Sequence, residues 1–172
     1  RTYKVANAVP SQSSSNKDLQ VRYIKDTLGG NTVNKDNTWM EIKALDKNGK
    51  NIAQGKEVIS SDKDAVGSRS NVVDGNSEGQ CYQTESTSVS WVQIDLGKKY
   101  DIEKIQVWHY HDGRIYDNTK TEVSEDGEVW YTIFDCETSG KYVETAEGRT
   151  YKISDAVPSD TTKENDIYSI KY

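Results

Sequence analysis

Trp91-Val92-Gln93-Ile94-Asp95-Leu96-Gly97 puts an apolar side chain at every second position from Val92 to Leu96 and then stops at glycine. Period two is the spacing of a strand with one buried face. The same grammar recurs along the chain. Val21 to Ile24 is a short run closed by Gly29-Gly30, and Trp39 to Leu45 breaks at Asp46-Lys47-Asn48-Gly49. Ile102 leads into a run from Ile105 to Tyr110. Thr121 to Ser124 and Val129 to Phe134 flank Glu125-Asp126-Gly127, which predicts a hairpin. The stretches 11–17, 60–70 and 76–90 read as polar loops. No window of helical length carries an apolar stripe. Many short strands between turn signals predict an all-β fold, an antiparallel β-sandwich of jelly-roll type.

With 172 residues the chain suits one domain with a sizeable core. Only 33% of residues are hydrophobic, yet there are 11 tyrosines and 4 tryptophans against a single Phe134 and a single Met40. Aromatic side chains with a polar tip suit a small sandwich with wet binding loops, and their number argues against disorder. The net charge of -6, with Lys and Arg interleaved among Asp and Glu, excludes the basic stripe that nucleic-acid binding requires. No apolar run approaches the roughly 20 residues of a membrane span. Cys81 and Cys136 lack the spacing of a zinc ribbon or a thioredoxin motif, so they are either one disulfide of an oxidising compartment or two thiols. The chain opens without an initiator Met or a signal peptide, as expected of a piece of a larger polypeptide.

The two ends repeat each other. Arg1-Thr2-Tyr3-Lys4-Val5-Ala6-Asn7-Ala8-Val9-Pro10-Ser11 returns as Arg149-Thr150-Tyr151-Lys152-Ile153-Ser154-Asp155-Ala156-Val157-Pro158-Ser159, identical at eight of eleven positions. Val21 to Lys25 also resembles Ile167 to Lys171. The repeat predicts a tandem array. Residues 1–18 then end a preceding repeat or form a linker, 19–158 form the sandwich, and 159–172 form a C-terminal strand or begin the next repeat. Two similar edge strands within one domain are the alternative.

Several segments, taken in order, resemble the discoidin-like (coagulation factor type C) domains, a galactose-binding-like fold that includes the family 32 carbohydrate-binding modules. Asn51-Ile52-Ala53-Gln54-Gly55-Lys56-Glu57-Val58 looks like their opening motif, and Asn71 to Asn76 like their Asp-Gly-Asn loop. Trp91 to Gly97 and Thr121 to Trp130 match two of their strands. The look-alikes of their closing strands, Val21 to Lys25 and Trp39 to Leu45, stand before the opening motif here, so the resemblance is to a permuted form. Neighbouring termini make such a rearrangement inexpensive.

The resemblance implies a structural calcium ion held by Asp74, Asn76 and Glu41, since hard oxygen ligands from a tight glycine-containing loop suit that ion. It also implies a glycan ligand. The loop from Trp108 to Asn118 holds both histidines, and family sugar binders use His, Arg, Asn and an aromatic ring. His109, His111, Arg114, Tyr116 and Asn118 are therefore the expected ligand contacts, with an aromatic face for C–H groups and planar donors for hydroxyls. Alternation qualifies the set: Ile105, Val107 and His109 share one face, and Trp108 and Tyr110 the other. Trp39, Trp91 and Trp130 fall in strand motifs and are expected to pack.

A Gly-x-Ser-x-Gly elbow is absent, and nothing points to two opposed carboxylates in a deep cleft. The expected function is a non-catalytic carbohydrate-binding or adhesion module, secreted or on a bacterial surface. The alternative is a structural repeat of a fibre or phage tail appendage, in contact with neighbouring repeats.

Overall fold

The computed structural model describes residues 18–84 and 88–159. Arg1 to Ser11 and Ile167 to Lys171, two of the repeated segments, lie outside the described residues. Eleven strands follow in order: β1 (Val21–Leu28), β2 (Asn37–Asp46), β3 (Glu57–Ser60), β4 (Ala65–Val66), β5 (Tyr82–Thr84) and β6 (Ser90–Tyr100). After them come β7 (Ile102–His109), β8 (Lys120–Ser124), β9 (Trp130–Asp135), β10 (Arg149–Lys152) and β11 (Val157–Pro158). One sheet has the order β11-β9-β8-β1-β6-β3 and the other β10-β7-β2-β5-β4. Every pairing between them is antiparallel.

The two sheets bury one alternating face each, as the sequence pattern requires. Ile24 and Leu28 of β1, Val92, Ile94 and Leu96 of β6, and Val123 of β8 meet Ile42 and Ala44 of β2 and Ile105 and Val107 of β7. The predicted hairpin is β8–β9, and its turn is held by Asp126, whose Oδ1 accepts from the Glu128 and Val129 amides. Strand β2 bulges against β7 between Trp39 and Glu41. The extra residue shifts the phase of alternation. Trp39 on one side of the bulge and Ile42 and Ala44 on the other all reach the core, while Glu41 takes the face opposite Ile42.

Three expectations are corrected. The stretches 60–70 and 76–90 are not loops throughout, because they contain β4 and β5, which pair with each other. Strand β1 runs on to Leu28 through a buried Asp26. Of the strand tryptophans, Trp39 is in the core, but Trp91 and Trp130 are half-buried, the latter under the Lys25 ammonium at 4.0 Å. Cys81 and Cys136 are both free thiols, and burial pushes the Cys136 thiol up.

Arg149 to Ser159 closes this sandwich. Strand β10 pairs with β7, β11 pairs with β9, Ile153 and Ala156 are buried between them, and the Arg149 guanidinium lies 4.1 Å from the Tyr142 ring.

Candidate functional site

Inside the sandwich, His109 ends β7 on the inward face and is 1% exposed. Its Nε2 lies 2.7 Å from Asp26 Oδ2, and its Nδ1 lies 2.7 Å from Glu144 Oε1. Asp26 also accepts from Trp39 Nε1 at 2.9 Å and from the Thr121 hydroxyl at 2.7 Å. Burial alone would depress the imidazole, but the Glu144 and Asp26 charges and their hydrogen bonds outweigh it, and its pKa is raised to about 10. The imidazolium thus joins β1 of one sheet to β7 of the other. This answers the inward reading of His109: it is a satisfied core histidine with no atom free for a ligand.

Beyond His109 the chain turns outward. Tyr110 is 42% exposed, and the Arg114 guanidinium lies 4.7 Å from its ring centroid. Arg114 itself is only 4% exposed. It is bound in a fork by Asp112, Nε to Oδ1 at 2.8 Å and Nη2 to Oδ2 at 2.9 Å, which holds the Asp112 carboxyl below its usual range. Its carbonyl accepts from the Glu144 amide. Tyr116 is 1% exposed, packs against the His109 ring and donates its hydroxyl to the Thr38 carbonyl at 3.4 Å. As placed, Arg114 and Tyr116 hold the loop together rather than face solvent.

His111 and Asn118 do lie at the surface, but apart. Asn118 opens onto a depression with Thr27, Lys120 and Asp135. His111 stacks beside Tyr110 with centroids 6.3 Å apart, and its Nε2 lies 3.8 Å from Glu78 Oε1. Tyr110 also forms one wall of a pocket of about 400 Å³ with Met40, Val66, Gly67, Gly79 and Cys81, and with Gln80 at the edge. The five expected contacts therefore do not form one site. The surface cluster is Tyr110, His111, Glu78 and Gln80. Alternation could have found Tyr110, since an inward His109 turns its neighbour outward. Glu78 and Gln80 carry no local signal.

The loop that bears Glu78 and Gln80 starts at the expected calcium ligands. Asp74 Oδ1 accepts from the Asn76 amide, and Asn76 Oδ1 accepts from the Glu78 amide. Gly75 N–H donates to Glu41 Oε2 at 3.1 Å, across 34 residues of sequence. The structure thus brings Glu41 to the Asp74-Gly75-Asn76 turn. Glu41 is wholly buried, and its Oε1 has no hydrogen-bond partner. Burial pushes its carboxyl up to about 7; the Gly75 amide offsets part of this and the Asp74 charge adds to it. Among the described residues no three His, Cys, Asp or Glu side chains converge as a metal cluster. A cation here would take two carboxylates and draw its other ligands from amide and backbone oxygens.

Among the described residues no helix is long and apolar enough to cross a membrane. No curated protein and no solved structure matches the sequence. The profile described as "NedA-like, galactose-binding domain" matches residues 71–157, half of the chain, from the Asp74 loop through β11. With two antiparallel sheets in the arrangement described, the chain belongs to the NedA-like galactose-binding domain family.

Proposed function

We propose that the domain binds a carbohydrate without transforming it, at the surface formed by Tyr110, His111, Glu78 and Gln80. The observation that carries this reading is the exposed Tyr110 ring beside an open pocket, with an imidazole, a carboxylate and an amide around it. A sugar presents a C–H face and a ring of hydroxyls, and this surface offers an aromatic plane and planar polar groups to match. Membership of a galactose-binding domain family makes a galactose-type sugar the first ligand to test. A glycan ligand fits work outside the cell, on a secreted or surface protein.

Two substitutions test the site together. Tyr110→Ala should weaken glycan binding about tenfold and leave the melting temperature unchanged, because the ring is a partly exposed platform. Arg114→Ala should instead lower stability by about 2 kcal/mol, because it cuts the fork to Asp112 beneath the surface. A Tyr110→Ala chain that binds glycans like the parent would remove this reading.

Calcium belongs to the same proposal. The buried, unpartnered Oε1 of Glu41 beside the Asp74 turn fits a hard cation better than it fits an apolar pocket. Glu41 and Asp74 would supply the charges and Asn76 an amide oxygen. The ion would supply structural support to the loop that runs on to Glu78 and Gln80.

A second reading, a repeat unit of a fibre or appendage, has its own support. Where Arg149 to Ser159 differs from Arg1 to Ser11 other than by Ile for Val, the residues are Ser154 and Asp155, and both are exposed. Of the buried or paired positions, Arg149, Tyr151, Ala156 and Ser159 are unchanged between the copies, and the buried Ile153 differs from Val5 by one methylene. Such a pattern fits a first segment that closes a preceding copy of the same sandwich. Ile153→Val, Ser154→Ala and Asp155→Asn together write the first sequence into the second's place. The triple variant should fold and lose no more than about 1.5 kcal/mol, the cost of one methylene. A chain that fails to fold in a melting experiment would count against a shared closing role.

A further inference from the structure

The carbohydrate reading leaves one part of the surface unused. A sugar ring stacked on Tyr110 needs one apolar platform, yet the pocket beside that ring has further apolar walls in Met40, Val66 and Cys81. Part of its lining is a close backbone approach: Gly67 sits at φ +83, and a Cβ there would stand 2.2 Å from the Cys81 carbonyl oxygen. Asn71 Nδ2 donates to that same oxygen at 2.9 Å, so this part of the lining is held in place. At the edge stands Gln80, exposed, with no hydrogen-bond partner to its side-chain amide among the described residues. An apolar pocket next to a free amide is complementary to a substituent that pairs both features, a flat amide that ends in a methyl group. The ligand amide's N–H and C=O would pair with the Gln80 carboxamide, and its methyl would enter between Val66 and Met40.

We propose that this pocket is an acyl subsite, and that the domain selects 2-acetamido sugars over the parent hexoses. The proposal rests on the carbohydrate reading and names the ligand class for it. Plain hexoses would leave the hollow empty and the Gln80 amide unpaired by ligand, so they lose affinity without losing the Tyr110 stack. Burying a methyl against apolar walls is worth about tenfold in discrimination.

The test is titration calorimetry of the full chain with galactose, N-acetylgalactosamine, glucose and N-acetylglucosamine. At least one acetamido sugar should bind about tenfold tighter than its parent hexose. Val66→Trp alters an exposed side chain to fill the hollow and should bring that ratio toward one while hexose binding is kept; Gln80→Ala, at a residue of the binding surface itself, should lower the affinity for the acetamido sugar more than that for the hexose. Hexoses that bind as tightly as their acetamido counterparts would overturn the acyl subsite and leave the carbohydrate reading standing. Absence of binding by all four sugars, in chains that melt normally, would remove both. An acetamido preference that survives both substitutions unchanged would place the selectivity elsewhere and overturn this pocket.

Discussion

Replacing His109 by leucine should destabilise the domain by about 3–5 kcal/mol, because it strips the bridging cation from a buried site that also holds two carboxylates. Asp26 and Glu144 are both buried, and each contacts one nitrogen of the imidazole at 2.7 Å. Leucine fills the volume but leaves both carboxylates without their shared partner. A loss of that size is a large share of the roughly 5–15 kcal/mol that holds a typical domain together. Chemical denaturation reads it directly, and a variant with an unchanged midpoint would show that the network carries no stability. The pH dependence has a definite sign. The imidazole is raised from 6.5 to about 10 on folding, so the folded state binds the proton more tightly than the unfolded chain. Its contribution is fully present below about 6.5 and is lost as pH rises toward 10. The parent should therefore lose stability from neutral to alkaline pH, and the leucine variant should lose less over the same interval. Tyrosines titrating at alkaline pH are common to both chains, so the difference between them isolates His109.

How much of this was legible follows from the range over which each feature is encoded. Strands β2, β6, β7 and the β8–β9 hairpin declare themselves because alternation is local and their runs are long enough to show it. Strands β4 and β5 span two and three residues, too few to display a period. Asp26 hid the end of β1, since a carboxylate in a strand reads as a boundary. Its presence there is explained by partners elsewhere in the chain, 13 residues away at Trp39, 83 away at His109 and 95 away at Thr121.

The site divides in the same way. The meeting of Glu41 with the Asp74 turn was reachable from motifs, because the bulged strand and the glycine turn each keep a recognisable sequence. The expected glycan contacts were drawn from one continuous loop, and residue type alone cannot tell a guanidinium on the surface from one beneath it. Arg114 lies beneath because Asp112, two residues back, folds over it in a fork. Glu78 and Gln80 come from a different loop, whose path depends on Asn71 reaching the Cys81 carbonyl.

Calcium should raise the melting temperature, and Glu41 should be the residue through which it does so. As the turn stands, a buried carboxylate has one oxygen on the Gly75 amide and the other without a partner, with the Asp74 carboxylate beside it. Two acidic groups brought together at this exposed turn repel, and the buried one, Glu41, bears the cost of leaving water. A dication reverses both effects, since it supplies the missing partner and converts the repulsion into shared attraction. Because the site is assembled from β2 and the Asp74 loop, the unfolded chain has no equivalent, and binding adds to folding free energy. An ion in hundredfold excess over its dissociation constant adds about 2.7 kcal/mol. Melting the chain after chelation and again with millimolar calcium restored measures that difference. Glu41→Gln keeps the shape and the Gly75 hydrogen bond but removes the charge, so its melting temperature should respond little to calcium. Magnesium at the same concentration should do less, because it demands a smaller and stricter octahedral shell than this mixed set of oxygens offers. If the parent and the Glu41→Gln chain melt alike in chelator and in calcium, the turn holds no cation and Glu41 is stabilised by the Gly75 amide alone.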